Sequence, residues 1–396
     1  MTLSIQQTIQ EADRCVACGL CLPHCPTYFK TGSEADSPRG RIQLMSAVAK
    51  EILPNNDRFK AHMNACLSCR NCETACPNGV RYGALIDQAR VITAQTNWLT
   101  QLFGWFAGKP TLLRYSSQFL RFGQSTGLLS LLSKTNATLA KYMEMLPVLT
   151  ATQSWQACYT AKTSKVGDVS LFLGCITNAF DAETLRASIH VLTHLGYDVH
   201  IPPSQSCCGG IARQQGDAQQ AKTHIDHNIQ AFQNTWPVLT VASGCGAGLK
   251  DYTSLPVQDV SDFLMQCDWN HVQLNHLDAH IALHEPCTLR NVMKAAKPVA
   301  ALLNKIPQLR ITPMKGNQQC CGGAGTYMLN QPEMAEALLA DKMKWLEQET
   351  FDFVATSNIG CAMQLGSGIR RANRPINIMH PVTIIAKQMG FQSELD

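Results

Sequence analysis

Charge is scarce in this chain: lysine, arginine, aspartate and glutamate make up 16% of its 396 residues, and the net charge is +4 with no long basic run. A nucleic-acid surface needs a clustered cationic face to displace counterions, so that class of partner is set aside. Long apolar runs are missing too. None reaches the roughly twenty residues needed to span a bilayer, which leaves a protein that is soluble or lies on a membrane surface. The opening residues, MTLSIQQTIQEADRC, show no basic stretch followed by an apolar core, and no secretory signal is expected. Nucleotide signatures are equally thin. GCGAG at 244–248 is not the six-position dinucleotide fingerprint, and no flavin or nicotinamide site is evident.

Cysteine is what the chain has in excess, with eighteen in all. In a chain this long, with most of them at metal-ligand spacings, they argue for a reducing compartment, and the cytoplasm is expected. The stretch Cys15 to Pro26, CVACGLCLPHCP, returns at Cys66 to Pro77 as CLSCRNCETACP. Each copy reads C-x2-C-x2-C-x3-C-P, in which three thiolates wrap one 4Fe-4S cube and the fourth goes to a neighbouring cube. The expected pairing is therefore crossed: Cys15, Cys18, Cys21 and Cys76 on one cluster, Cys66, Cys69, Cys72 and Cys25 on the other. Zinc sites or disulfides are the alternative, but two complete runs leave no ligand over. Two cubes in one small domain form an electron wire, with no site for substrate and no catalytic residue to assign.

Four segments follow from the pattern: residues 1–95 as a ferredoxin-type 4Fe-4S domain, 96–164 as a helical linker, 165–270 as a first repeat and 271–396 as a second. In the first, SIQQTIQEADRC reads as a short helix that delivers the first cysteine run. Ser37 to Ile52 reads as another, with Arg39 and Arg41 at its start, either offsetting cluster charge or simply solvated. A turn at Asn78-Gly79 precedes a third helix. In 97–150, five basic residues (Lys109, Arg114, Arg121, Lys134, Lys141) meet one acidic residue, Glu144, and are interleaved with Trp98, Phe103, Trp105, Phe106, Tyr115, Phe119 and Phe122. That mixture suits short amphipathic helices at a lipid surface, in a partner groove, or packed on the protein itself.

From about 165 the periodicity changes to apolar runs alternating with helical stretches, and the pattern is duplicated. VGDVSLFLGC ends at Cys175; the strand YDVHIPP leads to Cys207-Cys208-Gly209-Gly210; VLTVASGC ends at Cys245. In the second copy HIALHEPC ends at Cys287, QLRITP leads to Cys320-Cys321-Gly322-Gly323, and FDFVATSNIGC ends at Cys361. Each cysteine follows an apolar run, the carboxyl end of an expected parallel strand, where open α/β sheets place ligands. The fold class is thus mixed α+β and α/β, a helical ferredoxin-like domain followed by two pseudo-symmetric α/β units. The glycine pairs let backbone approach a bulky inorganic ligand, so a further cluster on Cys175, Cys207, Cys208, Cys245, Cys287, Cys320, Cys321 and Cys361 is expected, in one repeat or both. Cys158 and Cys267 are expected to be ordinary thiols. The pair His224 and His227 is expected to be a solvated surface, and of His271, His276, His280 and His284, His284 alone lies close enough to a repeat cysteine to support a ligand.

PRGRI (38–42), CLSCRNCETACPNGVRY (66–82), SGCGA (243–247), PCTL (286–289), CCGGAGTY (320–327) and NIGC (358–361) are together specific enough to name a family. The chain resembles the iron-sulfur subunit of bacterial glycolate oxidase, and more broadly subunits that join two ferredoxin runs to two CCG domains; the likeness thins between 95 and 165. The resemblance implies a partner subunit carrying FAD that oxidises glycolate or another 2-hydroxy acid, electrons passing through this chain to a membrane quinone, and peripheral contact with the inner face of the cell membrane. Equivalent subunits of D-lactate and glycerol-3-phosphate dehydrogenases share the plan. Heterodisulfide reductase subunits look similar in the repeats, but theirs end in Cys-x2-Cys. Here Gly-Ala-Gly follows Cys245 and Ala-Met-Gln follows Cys361, which puts disulfide reduction in doubt. An enzyme that reduces a disulfide or quinone by itself, and a structural or regulatory iron-sulfur protein, are the other readings.

Overall fold

The computed structural model describes residues 3–94, 102, 104–106, 108–133, 143–149, 151 and 153–392. The N-terminal region is helical. Helix Ile5–Asp13 starts on a capping box, with Ser4 Oγ accepting from the Gln7 amide and Gln7 Oε1 from the Ser4 amide. Helix Pro38–Ala49 has proline in its first turn and Ser37 as its cap, where the missing proline N–H costs nothing. Helix Tyr82–Ile92 follows the turn at Gly79, which takes a φ of 59°. These three were legible in the sequence; a fourth, Asp57–Asn64, capped by Asn56, was not. Their inward faces, among them Ala12, Ile42, Met45, Phe59, Met63, Leu85 and Ile86, form one small core that includes Cys66 and Cys72.

The rest of the chain is built on two sheets. In the first, β1 (Cys158–Tyr159), β2 (Gly167–Phe172), β3 (Tyr197–His200), β4 (Val238–Thr240) and β5 (Val257–Asp259) lie in the order β1-β3-β2-β4-β5. The edge strand β1 is antiparallel and the other pairings are parallel. In the second, β6 (His280–His284), β7 (Arg310–Pro313), β8 (Phe353–Thr356) and β9 (Asn377–Met379) are all parallel, in the order β7-β6-β8-β9. Without β1 the two orders are the same, and so is the register: Phe172 pairs with Thr240 as His284 pairs with Thr356. The pseudo-symmetric α/β architecture expected from the repeats is therefore observed. The central strands are apolar runs because helices cover both faces of a parallel sheet; Val169, Leu171, Ile281 and Ala282 are fully buried.

A single continuous core runs through both sheets, from Val169 and Leu192 to Ile281 and Ile384. Helices Ala182–His194 and Pro381–Gln388 meet across the repeat boundary, where Thr184 and Thr383 share a hydroxyl hydrogen bond of 3.2 Å. Between the cysteine-run domain and the sheets, helix Pro110–Ser125 packs beside helix Cys175–Phe180 and buries Leu113 and Ser117. Its other face leaves Tyr115 and Phe119 69% exposed and Phe122 61%. Trp98, Phe103, Lys134 and Lys141 lie outside the described residues. Among the described residues, no helix is long and apolar enough to cross a membrane.

Candidate metal centres

The two cysteine runs bend in the same way. Ala17 and Gly19 in the first loop, and Ser68 and Arg70 at the matching places in the second, all have positive φ, between 52° and 84°. Only glycine takes that region without strain. Arg70 is held there by Glu73, whose carboxylate accepts from Nε at 2.9 Å, and by Asp251 of the first repeat. The bend wraps each cysteine set around a hollow. One cavity of about 450 Å3, open to solvent, is lined by Cys15, Cys18, Cys21, Cys72 and Cys76. A second, of about 300 Å3, is lined by Cys25, Cys66, Cys69 and Cys72. The first hollow thus collects three thiols of the first run with Cys72 and Cys76 of the second, and the second hollow collects three thiols of the second run with Cys25 of the first, Cys72 lining both. Soft sulfur donors converging from both runs fit 4Fe-4S cubes.

Cations stand at both hollows. Arg41 is 1% exposed. Its guanidinium donates to His62 O at 2.7 Å, Thr27 Oγ1 at 2.9 Å and Asp36 Oδ1 at 3.0 Å. Burial works against its charge, but Tyr82, Cys66, Cys25 and Asp36 around it hold it firmly protonated. It is therefore a buried cation on the wall of the second hollow, paired with Asp36, and not a solvated arginine. Arg39 sits at the rim of the first, bonded to Ala17 O at 3.0 Å and paired with Glu34 at 2.6 Å. Cys69 and Cys72 are pushed well above the usual thiol range by burial, then by neighbouring cysteines. A cluster bound there would take them as thiolates.

Each repeat brings its four cysteines together at the carboxyl ends of its strands. In the first, Cys175 Sγ lies 3.4 Å from Cys207 Sγ. Hydrogen bonds from Cys207 and Cys245 hold Cys208 well below the ordinary thiol value, and Arg213 adds to this. Cys207 and Cys245 move the opposite way, because each yields its hydrogen bond to a neighbouring sulfur. In the second repeat, Cys287 is raised by its hydrogen bond with Cys320 and by burial. Cys320 and Cys321 are also raised, although each is hydrogen-bonded by the preceding cysteine of the group, since the next sulfur along and burial act more strongly. Here His284 is buried, and one of its ring nitrogens lies with Cys321 Sγ and Cys361 Sγ inside a 4.8 Å circle. Lys342, 2% exposed, places Nζ 2.5 Å from Gly316 O, beside the same cysteines.

The glycines after each cysteine pair do something other than expected. Gly209 and Gly322 have φ of 75° and 87°, and a Cβ on them would meet the backbone of Ala221 at 3.2 Å and of Ala335 at 2.7 Å. They let a helix pack on the cysteine loop, and the space they spare belongs to that helix, not to a ligand. Gly210 does face sulfur, with Cys208 Sγ 3.4 Å from where its Cβ would stand. A second departure concerns His224, which is buried against Ser206, while His227 is exposed. His280 bonds Thr312 Oγ1 at 2.8 Å, and His271 and His276 are exposed. Cys158 lies near Asp198 and His200, but Lys165 already bridges Asp168 and Asp198 at 2.9 and 2.8 Å. Cys267 is half-buried at Phe263 O.

The second hollow and the second repeat are joined. Cys69 shares a small apolar cluster with Cys320, Tyr327 and Met328, against which Cys287 packs. Asn291 Nδ2 donates to Cys69 O at 2.7 Å and to Asn71 Oδ1 at 2.6 Å. Tyr327 Oη donates to Ala65 O at 2.9 Å, between Cys66 and Cys320. The two repeats touch through Asn358, which accepts from the Gly244 amide and donates to Cys361 Sγ at 3.3 Å. Asn291 carries no signal that sequence reading could rank; Asn358 and Tyr327 belonged to quoted motifs without a role.

Two family models match: a 4Fe-4S dicluster domain over residues 11–80, and a cysteine-rich domain twice, over 169–250 and 281–366. Among curated proteins, the probable glycolate oxidase iron-sulfur subunit of Bacillus subtilis (strain 168) is 30% identical, with 97% of this chain and 95% of that one aligned. The glycolate oxidase iron-sulfur subunit of Escherichia coli (strain K12) is 30% identical over 91% of each chain. Lactate utilization protein A of Anoxybacillus flavithermus is 25% identical over 55% of this chain and 98% of its own length. The first two alignments cover 97% and 91% of this chain, more than a shared ferredoxin motif can account for. The chain belongs to the family of glycolate oxidase iron-sulfur subunits.

Proposed function

We propose that this chain is the electron-transfer subunit of a flavin-dependent 2-hydroxy-acid dehydrogenase, glycolate being the first substrate to test. In this reading an FAD-carrying partner oxidises the hydroxy acid, and this chain passes electrons toward a membrane quinone from the cytoplasmic side. Cys15, Cys18, Cys21 and Cys76 hold one 4Fe-4S cluster and Cys66, Cys69, Cys72 and Cys25 the other. The repeat cysteines hold at least one more. Clusters bound there supply one-electron chemistry and nothing else. The carrying observation is the contact of Cys69 with Cys287 and Cys320, which puts sulfur ligands of the second hollow and the second repeat side by side, with water kept out by Leu67, Tyr327 and Met328.

The residues of the chain set the terms of that transfer. Arg41 offsets thiolate charge inside the protein, while Asn291, Asn71 and Tyr327 keep the two sulfur sites from drifting apart. Disulfide reduction is disfavoured. Where a Cys-x2-Cys ending would place its second thiol stand Gly248, which the Arg213 guanidinium crowds, and Gln364, which donates to Ala335 O at 3.2 Å. The exposed aromatic face of helix Pro110–Ser125 is proposed as the contact with the membrane or the flavoprotein. The test is an assay of the purified chain with glycolate and a redox dye. No dye reduction is expected until the flavoprotein is added, and turnover by the chain alone overturns the reading.

A further inference from the structure

We infer that His284 is a nitrogen ligand of the metal centre held by the second repeat, so that the two repeats carry different centres, one of sulfur ligands alone and one of mixed sulfur and imidazole. The inference rests on the proposed reading that the repeats hold clusters, and it departs from the twofold symmetry that the duplicated cysteines suggest.

The frame is the same in both copies and one side chain differs. At the end of β2, Phe172 pairs in register with Thr240; at the end of β6, His284 pairs with Thr356. Phe172 spends its ring on the core, 6.1 Å from Phe232. His284 is equally buried, yet it shares its pocket with Cys321 and Cys361. A buried imidazole costs desolvation that a phenyl ring does not, so something in the pocket must use its nitrogen. Thr356 Oγ1 holds Nδ1 at 2.9 Å, which fixes the ring and leaves Nε2 to carry metal, the arrangement by which ligating histidines are normally oriented.

The ligand count points the same way. The second repeat ends with Gln364 where a further cysteine would stand, and His284 supplies a donor atom within 4.8 Å of the sulfurs of Cys321 and Cys361. Lys342 marks the same asymmetry. Counted from the alanine that packs on each conserved-geometry glycine, Ala335 and Ala221, it falls where the first repeat has Asn228. A donor that brings no negative charge of its own, with the Lys342 amine buried nearby, leaves the centre less negative than an all-thiolate one and raises its potential. The more easily reduced site is then the one beside Cys69.

The test uses the full-length chain, reconstituted anaerobically with iron and sulfide, partly reduced and read by pulsed electron paramagnetic resonance. Two cubes account for about eight irons, and iron beyond that belongs to the repeats. The expected result is extra iron together with a strong nitrogen coupling that changes from 14N to 15N when only histidine is labelled. His284→Phe removes the coupling, and His284→Cys keeps the iron, loses the coupling and lowers the midpoint potential of that centre. Extra iron without a histidine coupling, or a coupling that survives His284→Phe, overturns the inference alone. Iron that stops at the content of two cubes overturns both it and the cluster reading of the repeats. The labelled wild type keeps the test decisive if His284→Phe fails to fold.

Discussion

Cys18 and Cys69 occupy equivalent places in the two runs and live in opposite surroundings: Cys18 is exposed at the rim of the first hollow, and Cys69 is buried against the second repeat. Cys18→Ser should cost about four irons with little change in the remaining fold. Cys69→Ser should cost the same iron and loosen the second repeat as well, because ligation and packing are coupled there. Iron analysis with thermal unfolding of both variants checks this; equal destabilisation by the two would contradict it. A different residue sets a pH dependence. Asp259, 1% exposed, caps helix Val260–Leu264 through the Ser261 amide at 2.9 Å, while its Oδ2 has no hydrogen-bond partner. Burial pushes its carboxyl up to about 7, against an ordinary value of 3.8. The folded state therefore prefers the protonated acid, and its contribution is full below about pH 4 and lost as pH rises toward 7. Asp259→Asn keeps the cap and has no charge to bury. It should be the more stable protein at pH 8 by about 4 kcal/mol, with the gap closing by pH 4, as read from denaturant melts across that range.

Helix Pro110–Ser125 shows how an element can be assigned from its pattern and still have its role set by what it packs on. Leu113 and Ser117 face the first repeat, and Tyr115, Phe119 and Phe122 follow each other down the opposite side, flanked by exposed Arg114 and Arg121. Lys109 lies 3.9 Å over the Trp105 ring, which ties the start of the helix to the preceding turn. Aromatic rings with cationic neighbours suit the interface of an anionic bilayer. Exchanging Lys109, Arg114 and Arg121 for Glu should weaken sedimentation with anionic liposomes, and the loss should be mimicked in the wild type by added salt. If liposome binding is unchanged while assembly with the flavoprotein fails, the face belongs to the partner instead.

At the scale of the whole molecule the cysteine-run domain is clamped to both repeats. Arg70 reaches Asp251 of the first, Tyr252 of the first reaches Asp87, and Asn291 and Arg290 of the second grip Asn71. Asn291→Leu leaves the buried Cys69 carbonyl and part of Asn71 without donors, a loss of about 2 kcal/mol. Its expected signature is local: faster hydrogen exchange over residues 66–72 and quicker loss of iron from the second hollow to a chelator, with the first hollow unaffected. Exchange that rises equally in both cysteine runs would show that the clamp does not act at this place.

Spacing alone located the cysteine runs and the duplicated α/β plan, because cluster ligation depends on short intervals along the chain and parallel strands buried on both faces must read as apolar runs. The helices at Ile5–Asp13, Pro38–Ala49 and Tyr82–Ile92 announced themselves through caps and turn residues for the same local reason. What no local signal carries is which distant groups meet. Arg41 became a buried cation, Gly209 and Gly322 turned out to face helix backbone, and His224 went inward, each decided by contacts far away in sequence. The pairing of His284 with Thr356, opposite Phe172 with Thr240, exists only once two strands lie in register. Tertiary packing alone set Cys69 against Cys287 and Cys320, since the chain between them must first fold into a sheet before sulfur can meet sulfur.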